Sequence, residues 1–157
     1  MELKSISEKL YEILKSQNRE IATAESCTGG LIGKTLTEVP GISAHYGYGF
    51  ITYSNEAKQK LLGVSPKTLE THGAVSGETV VEMASGALSV SGADVAVSVS
   101  GIAGPGGGTK EKPVGLVYIA IADKNGAESR KLMLNGERES IREKTCEKVF
   151  ELINSKI

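Results

Sequence analysis

The sequence carries almost no net charge, few cysteines and histidines, and no long apolar run. Its 157 residues hold 18 Lys+Arg against 19 Asp+Glu, a formal charge of −1 at pH 7. There is then no field of one sign to attract a nucleic acid or a membrane surface. The two cysteines, Cys27 and Cys146, lie far apart and form no C-x-x-C pair, which excludes a disulfide framework. His45 and His72 are the only histidines, with neither H-E-x-x-H spacing nor clustered acidic ligands, so no metal site is expected. No window reaches the ~18 apolar residues of a membrane span. The opening M-E-L-K-S-I-S-E-K-L is charged and amphipathic, without the continuous apolar core of a secretory signal. A soluble, cytoplasmic protein is expected.

Glycine, by contrast, is plentiful: 19 residues, clustered in loops rather than spread evenly. Such clusters suit close backbone approach to a ligand or simply tight turns. A chain of this length, without repeats or linkers, is expected to form one domain over residues 1–157 and to bury roughly 70% of its unfolded surface.

Apolar residues at helical spacing predict an amphipathic helix over 3–17, through Leu3, Ile6, Leu10, Ile13 and Leu14. E-I-A-T-A-E (20–25) reads as a strand, and S-C-T-G-G (26–30) opens a helix that Pro40-Gly41 ends. A strand over 48–53 precedes a helix capped by Ser54 or Asn55 and stopped by Gly63. Ser65-Pro66 starts a short helix, and Ser76 caps a longer one through Leu88. V-A-V-S-V-S (95–100) is a strand of mostly small residues, as if a helix packs closely on one face. After a glycine-rich loop (101–113), strands over 114–122 and 127–134 flank D-K-N-G, a hairpin signal, and a helix over 140–153 closes the chain. Strands alternate with helices and an antiparallel hairpin joins at the end. The pattern fits an α/β fold, a three-layer α/β/α sandwich with a mixed central sheet.

Two glycine loops are candidate anion cradles. Glu25-Ser26-Cys27-Thr28-Gly29-Gly30 lies between strand and helix, where free N–H groups bind anions; a plain helix cap by Ser26 or Thr28 reads equally well. Ser100-Gly101-Ile102-Ala103-Gly104-Pro105-Gly106-Gly107-Gly108-Thr109-Lys110 fails the nucleotide P-loop pattern, since no glycine directly precedes Lys110, and lacks the helix of a dinucleotide fingerprint. Loops this long inside compact domains are often functional. Cys27 as a nucleophile would need its pKa lowered by the helix end; buried small-residue packing is the commoner use of a lone cysteine. Ser43 and Lys58 flank the 48–53 strand, an arrangement that can bring them face to face, although by spacing alone a loop serine, a surface lysine and a capping arginine at 138 are the commoner readings. Lysine acts as a general base only where burial or positive neighbours lower its pKa toward 7–8, and Arg138 is placed to supply that charge or to hold a phosphate.

Six ordered motifs, A-E-S-C-T-G-G (24–30), Y-S-N-E-A-K (53–58), H-G-A-V-S (72–76), S-G-I-A-G-P-G-G (100–107), K-P-V-G (112–115) and G-E-R (136–138), together resemble the C-terminal domain of the competence/damage-inducible CinA proteins. The resemblance runs from about residue 5 to 155. It implies a three-layer fold, commonly dimeric, that hydrolyses nicotinamide mononucleotide to nicotinate mononucleotide and ammonia without a metal or other cofactor. By the same resemblance the catalytic serine falls on Ser43, the lysine on Lys58 and an arginine on Arg138, with Glu137 where the family has aspartate. Ser26, in an equally characteristic motif, is the alternative nucleophile. Ser26, Thr28, Gly29, Gly30, Tyr53, Ser100, Gly101, Gly104 and Gly106 are expected around the bound pyridine nucleotide. The pyrophosphatase activity associated with the N-terminal domain of larger members is not expected of these residues. Alternatives are a nucleotide-binding module without turnover and an amidase acting on the riboside.

Overall fold

A computed structural model describes residues 2–157. Helix α1 (Leu3–Gln17) buries Ile6, Leu10 and Leu14 along one stripe and ends at Asn18, which takes a left-handed φ of 51°. Strand β1 (Ile21–Glu25) is buried throughout, followed by a turn, α2 (Leu31–Thr37) and a 3₁₀ turn (Ile42–Ala44). Strand β2 (Tyr46–Ile51) leads to α3 (Asn55–Leu62), α4 (Pro66–His72) and α5 (Gly77–Ser91). Strands β3 (Val95–Gly101), β4 (Leu116–Asp123) and β5 (Gly126–Met133) follow, and α6 (Arg138–Lys156) closes the chain.

The five strands form one sheet in the order β2-β1-β3-β4-β5. β2, β1 and β3 are parallel, while β4 and β5 are antiparallel to their neighbours, giving a mixed sheet with helices on both faces. Strand alternation assigns different residues to each face. Val95, Val97, Val99, Val117, Ile119 and Ile121 join the core under α1, α2 and α6. Ala22, Ala24, Ala96, Ala120 and Ala122 face α5, whose Val80, Met83, Ala84 and Ala87 pack onto them. These small residues let α5 sit close to the sheet. Helices α3 and α4 pack on α5.

Helix α3 can approach α5 because of Gly86. A Cβ there would lie 1.9 Å from the Leu62 carbonyl oxygen. Ser54 caps α3 by accepting from the Ala57 N–H at 3.0 Å, and Ser76 caps α5 through Thr79 N–H at 3.2 Å.

Several boundaries differ from the sequence expectation. β2 begins at Tyr46 rather than residue 48, and its last paired residue is Ile51, opposite Glu25. Thr52 and Tyr53 therefore lie beyond it. Helix α2 begins only at Leu31, because residues 26–29 form a turn and Gly30 has φ +108°. β4 begins at Leu116 because Gly115, at φ +97°, passes the Leu134 carbonyl so closely that a Cβ would lie 2.0 Å from it.

Candidate active site

From β1 the chain crosses by α2 to β2 on one side, then returns past β1 to β3 on the other. The carboxyl ends of β1 and β3 thus flank a topological switch point, where open α/β sheets bind their ligands. Ser26 directly follows β1, and its N–H donates to the Val99 carbonyl of β3 at 3.1 Å. Lys58, in the second turn of α3, reaches the same point. Its Nζ donates to Ser26 Oγ at 3.0 Å and to the Thr52 carbonyl at 2.8 Å.

Lys58 is only 1% exposed. Burial holds its pKa below the ordinary lysine value, since desolvation penalises the charged form. An ammonium has three N–H donors, and the structure gives this nitrogen two acceptors. A neutral amine needs fewer partners and offers a lone pair, so the same contact can run from the Ser26 hydroxyl to Nζ.

A cavity of about 280 Å³ opens over this pair, with Cys27, Ser100, Gly101 and the 102–107 loop along its wall. Tyr53 and Arg138 line it as well. Arg138 donates through Nη1 to the Gly104 carbonyl at 2.8 Å and through Nη2 to the Tyr53 hydroxyl at 3.1 Å. The guanidinium therefore joins loop, tyrosine and α6. In this loop the N–H groups of Ala103, Gly104, Gly106 and Gly107 donate to no described residue. Burial pushes the Cys27 thiol up to about 12, contrary to a helix-activated thiolate, and the Cys27 N–H makes no hydrogen bond to another described residue.

Ser26, Tyr53, Lys58, Ser100, Gly101, Gly104, Gly106 and Arg138, all singled out in the sequence, line this one cavity. Ser43 does not. It is exposed on the 3₁₀ turn before β2, and Tyr46 at the start of β2 pairs with Ile21, at the far end of β1 from Ser26. An extended strand separates its ends by about 3.3 Å per residue, so β2 holds Ser43 and Lys58 roughly 20 Å apart instead of face to face. This corrects the expected pairing: the hydroxyl beside Lys58 belongs to Ser26.

Thr28, Gly29 and Gly30 are also placed away from the cavity wall. The Glu25 carboxyl group, 2% exposed, accepts from the Gly30, Ile32 and Gly33 N–H groups at 3.2, 2.9 and 3.0 Å and from the Thr28 hydroxyl. Of the amides expected to receive a phosphate, the Gly30 N–H is held by the Glu25 carboxyl group and the Gly29 N–H by the Ser26 carbonyl. That corrects the 28–30 cradle and leaves the 102–107 loop as the anion-ready backbone.

Sequence reasoning missed Glu25, Asn55, Ala74, Val75 and Arg142. Asn55, Ala74 and Val75 line the cavity. Arg142 holds the outside of the Ser26 turn, donating to the Cys27 and Thr28 carbonyls. Its i,i+4 spacing from Arg138, which places both on one helix face, was the available signal. Among the described residues no group of three or more His, Cys, Asp or Glu is arranged to hold a metal ion.

The family model described as the CinA C-terminal domain matches residues 3–157. The nicotinamide-nucleotide amidohydrolase PncC of Escherichia coli (strain K12) is 50% identical over 142 residues, which are 90% of this chain and 86% of that protein. A putative competence-damage inducible protein of Acetivibrio thermocellus is 53% identical over 142 residues, 90% of this chain but 34% of its own length. The chain thus spans about a third of such longer relatives. Among solved structures, the competence/damage inducible protein CihA from Agrobacterium tumefaciens superposes with a TM-score of 0.95 at 43% identity, covering 98% of this chain and 94% of that one. ComA from Klebsiella pneumoniae gives 0.96 at 34% identity, covering 99% and 97%.

Proposed function

Since the chain belongs to the CinA C-terminal domain family, we propose that it is an amidohydrolase that converts nicotinamide mononucleotide to nicotinate mononucleotide and ammonia through Ser26 and Lys58. The observation that carries this reading is the 3.0 Å contact between Lys58 Nζ and Ser26 Oγ, with a buried nitrogen whose pKa is lowered. The substrate class comes from the E. coli relative's name.

In this mechanism neutral Lys58 takes the Ser26 hydroxyl proton as Oγ bonds to the carboxamide carbon. The ring's positive charge makes that carbon a better electrophile. The oxyanion lies against the Cys27 N–H, which follows the nucleophile and donates to no other described residue; one such donor is typically worth about 10²–10³ in rate. The C–N bond breaks as Lys58 returns its proton to the leaving nitrogen, releasing ammonia. Water then adds to the acyl-enzyme, giving Lys58 a proton that passes back to Ser26 Oγ as the carboxylate leaves. The phosphate belongs with Arg138 and the free N–H groups of Ala103, Gly104, Gly106 and Gly107.

Ammonia release from nicotinamide mononucleotide tests the assignment. Ser26→Ala and Lys58→Ala should each lose at least ~10³-fold in kcat, because nucleophile and base act as a unit, while Ser43→Ala should keep wild-type turnover. Full activity in Ser26→Ala overturns the nucleophile. Thermal stabilisation by the mononucleotide without ammonia would instead support a binding module.

We propose further that the enzyme works in the cytoplasm as a dimer, with the contact at the outer edge of β2. Residues 46–54 carry no charge, and Tyr48, Ile51 and Tyr53 are half or more exposed. The opposite edge, β5, carries Glu128, Arg130 and Lys131, the usual protection of an unpaired strand. Two neutral edges can meet without like-charge repulsion.

A further inference from the structure

We infer that Arg142 is a positioning residue for the reaction, acting on the Cys27 N–H through two intervening peptide groups. The inference rests on the assignment of Ser26 as nucleophile and of the Cys27 N–H as oxyanion donor. Arg142 touches neither the cavity nor Ser26. Its Nη2 donates to the Thr28 carbonyl at 2.8 Å and its Nε to the Cys27 carbonyl at 3.2 Å.

The Thr28 carbonyl shares a peptide unit with the Gly29 N–H, and that N–H donates to the Ser26 carbonyl at 3.0 Å. The Ser26 carbonyl shares the next unit with the Cys27 N–H, which has no partner in another described residue, on a residue that lines the cavity. In a trans peptide the C=O and N–H point in opposite directions. Fixing each carbonyl therefore fixes where the following N–H aims.

The line runs from guanidinium to Thr28–Gly29 peptide, to Ser26–Cys27 peptide, and ends at the Cys27 N–H. A cation at one end withdraws electron density along such a chain and strengthens each successive donor. From the inner side the Glu25 carboxyl group holds residues 28–33, so the turn is gripped on both flanks. Gly29, at φ +58°, passes so near Arg142 that an added Cβ would lie 3.4 Å from Nη2.

The consequence is specific. Removing the guanidinium should weaken a donor that matters only when negative charge develops, leaving substrate binding alone. In Arg142→Met, which keeps the aliphatic stem, kcat for ammonia release should fall about 10–100-fold, less than the ~10²–10³ expected for losing a donor outright. KM should stay within about twofold. Arg142→Lys, which restores a charge and one donor group, should recover most of the kcat, and guanidinium ion added to Arg142→Ala should recover part of it. A wild-type kcat in Arg142→Met, a loss confined to KM, or a Lys variant as slow as Met overturns the inference. Should Arg142→Met not fold, Arg142→Gln, which keeps a donor without the charge, decides: a loss in kcat at constant KM supports the inference, and a wild-type kcat overturns it. Ser26→Ala is assayed alongside. If it is inactive while Arg142→Met is fully active, only this inference fails; if it is active, the nucleophile assignment fails and takes the relay with it.

Discussion

Lys58 is a large side chain buried among the polar groups of its own site, and its titration links activity to stability. Burial lowers its folded pKa beneath the ordinary value of 10.5. On the proposal that Lys58 is the base and must be neutral, kcat/KM should rise with pH through that lowered pKa, and the acid limb should vanish with Lys58→Ala. The stability sign follows from proton uptake. Between the folded pKa and 10.5 the unfolded chain binds more protons, so stability increases with pH across that window. The lysine's favourable contribution is full above 10.5 and lost as pH falls through the folded pKa. Melting curves of wild type and Lys58→Met over this range should converge at high pH and separate below, the inactive variant being the more stable. Lys58 and Arg138 were legible from their motifs. Ser43 came from the resemblance; it precedes the strand that Lys58 follows, and what chain order does not tell is that the parallel pairing of β2 with β1 brings the turn after Glu25 to Lys58, a long-range property. Arg142 and Glu25 stayed hidden for a related reason, since both act on backbone groups, which leave little trace in side-chain patterns.

Among the elements, α3 has the most exacting position, because it must deliver Lys58 to a turn from another layer. Gly86 sets that position. Gly86→Ala drives a Cβ into the Leu62 carbonyl, and overpacking of this kind costs about 1–3 kcal/mol. Thermal unfolding should show the loss, with reduced ammonia release at temperatures where the variant remains folded, because α3 and Lys58 shift together. Substitution at Gly92, where a Cβ meets nothing within 4 Å but φ is +69°, should lower stability through backbone strain while leaving turnover of the folded protein unchanged. Local signals placed most elements well. Capping serines 54 and 76 and the small residues of β3 were readable because they act within one turn or one strand face. The start of α2 was not, since Glu25 reaches forward to take the N–H groups that the sequence alone leaves for Ser26 or Thr28.

At the scale of the molecule, the two sheet edges differ in kind. If the proposed dimer meets at the neutral β2 edge, wild type should sediment as a dimer and Ile51→Lys, which charges that edge, as a monomer; a dimer unchanged by the substitution moves the interface elsewhere. The three-layer class was legible from the alternation of strands and helices. Strand order was not, because crossing from β2 past β1 to β3 is fixed by how the whole chain packs. The two faces of the sheet differ as well. Valine and isoleucine fill the side under α1, α2 and α6, whereas alanines back α5, and α3 and α4 rest on α5. Burial per residue is therefore thinner on the side that holds Lys58, and segments with few buried apolar contacts open first. Exchanged into deuterium oxide, the amides of α3 and α4 should take up label well before those of β1 and β3. Isotope would thus enter the molecule at the layer that carries Lys58, while the strand that presents Ser26 stayed protonated.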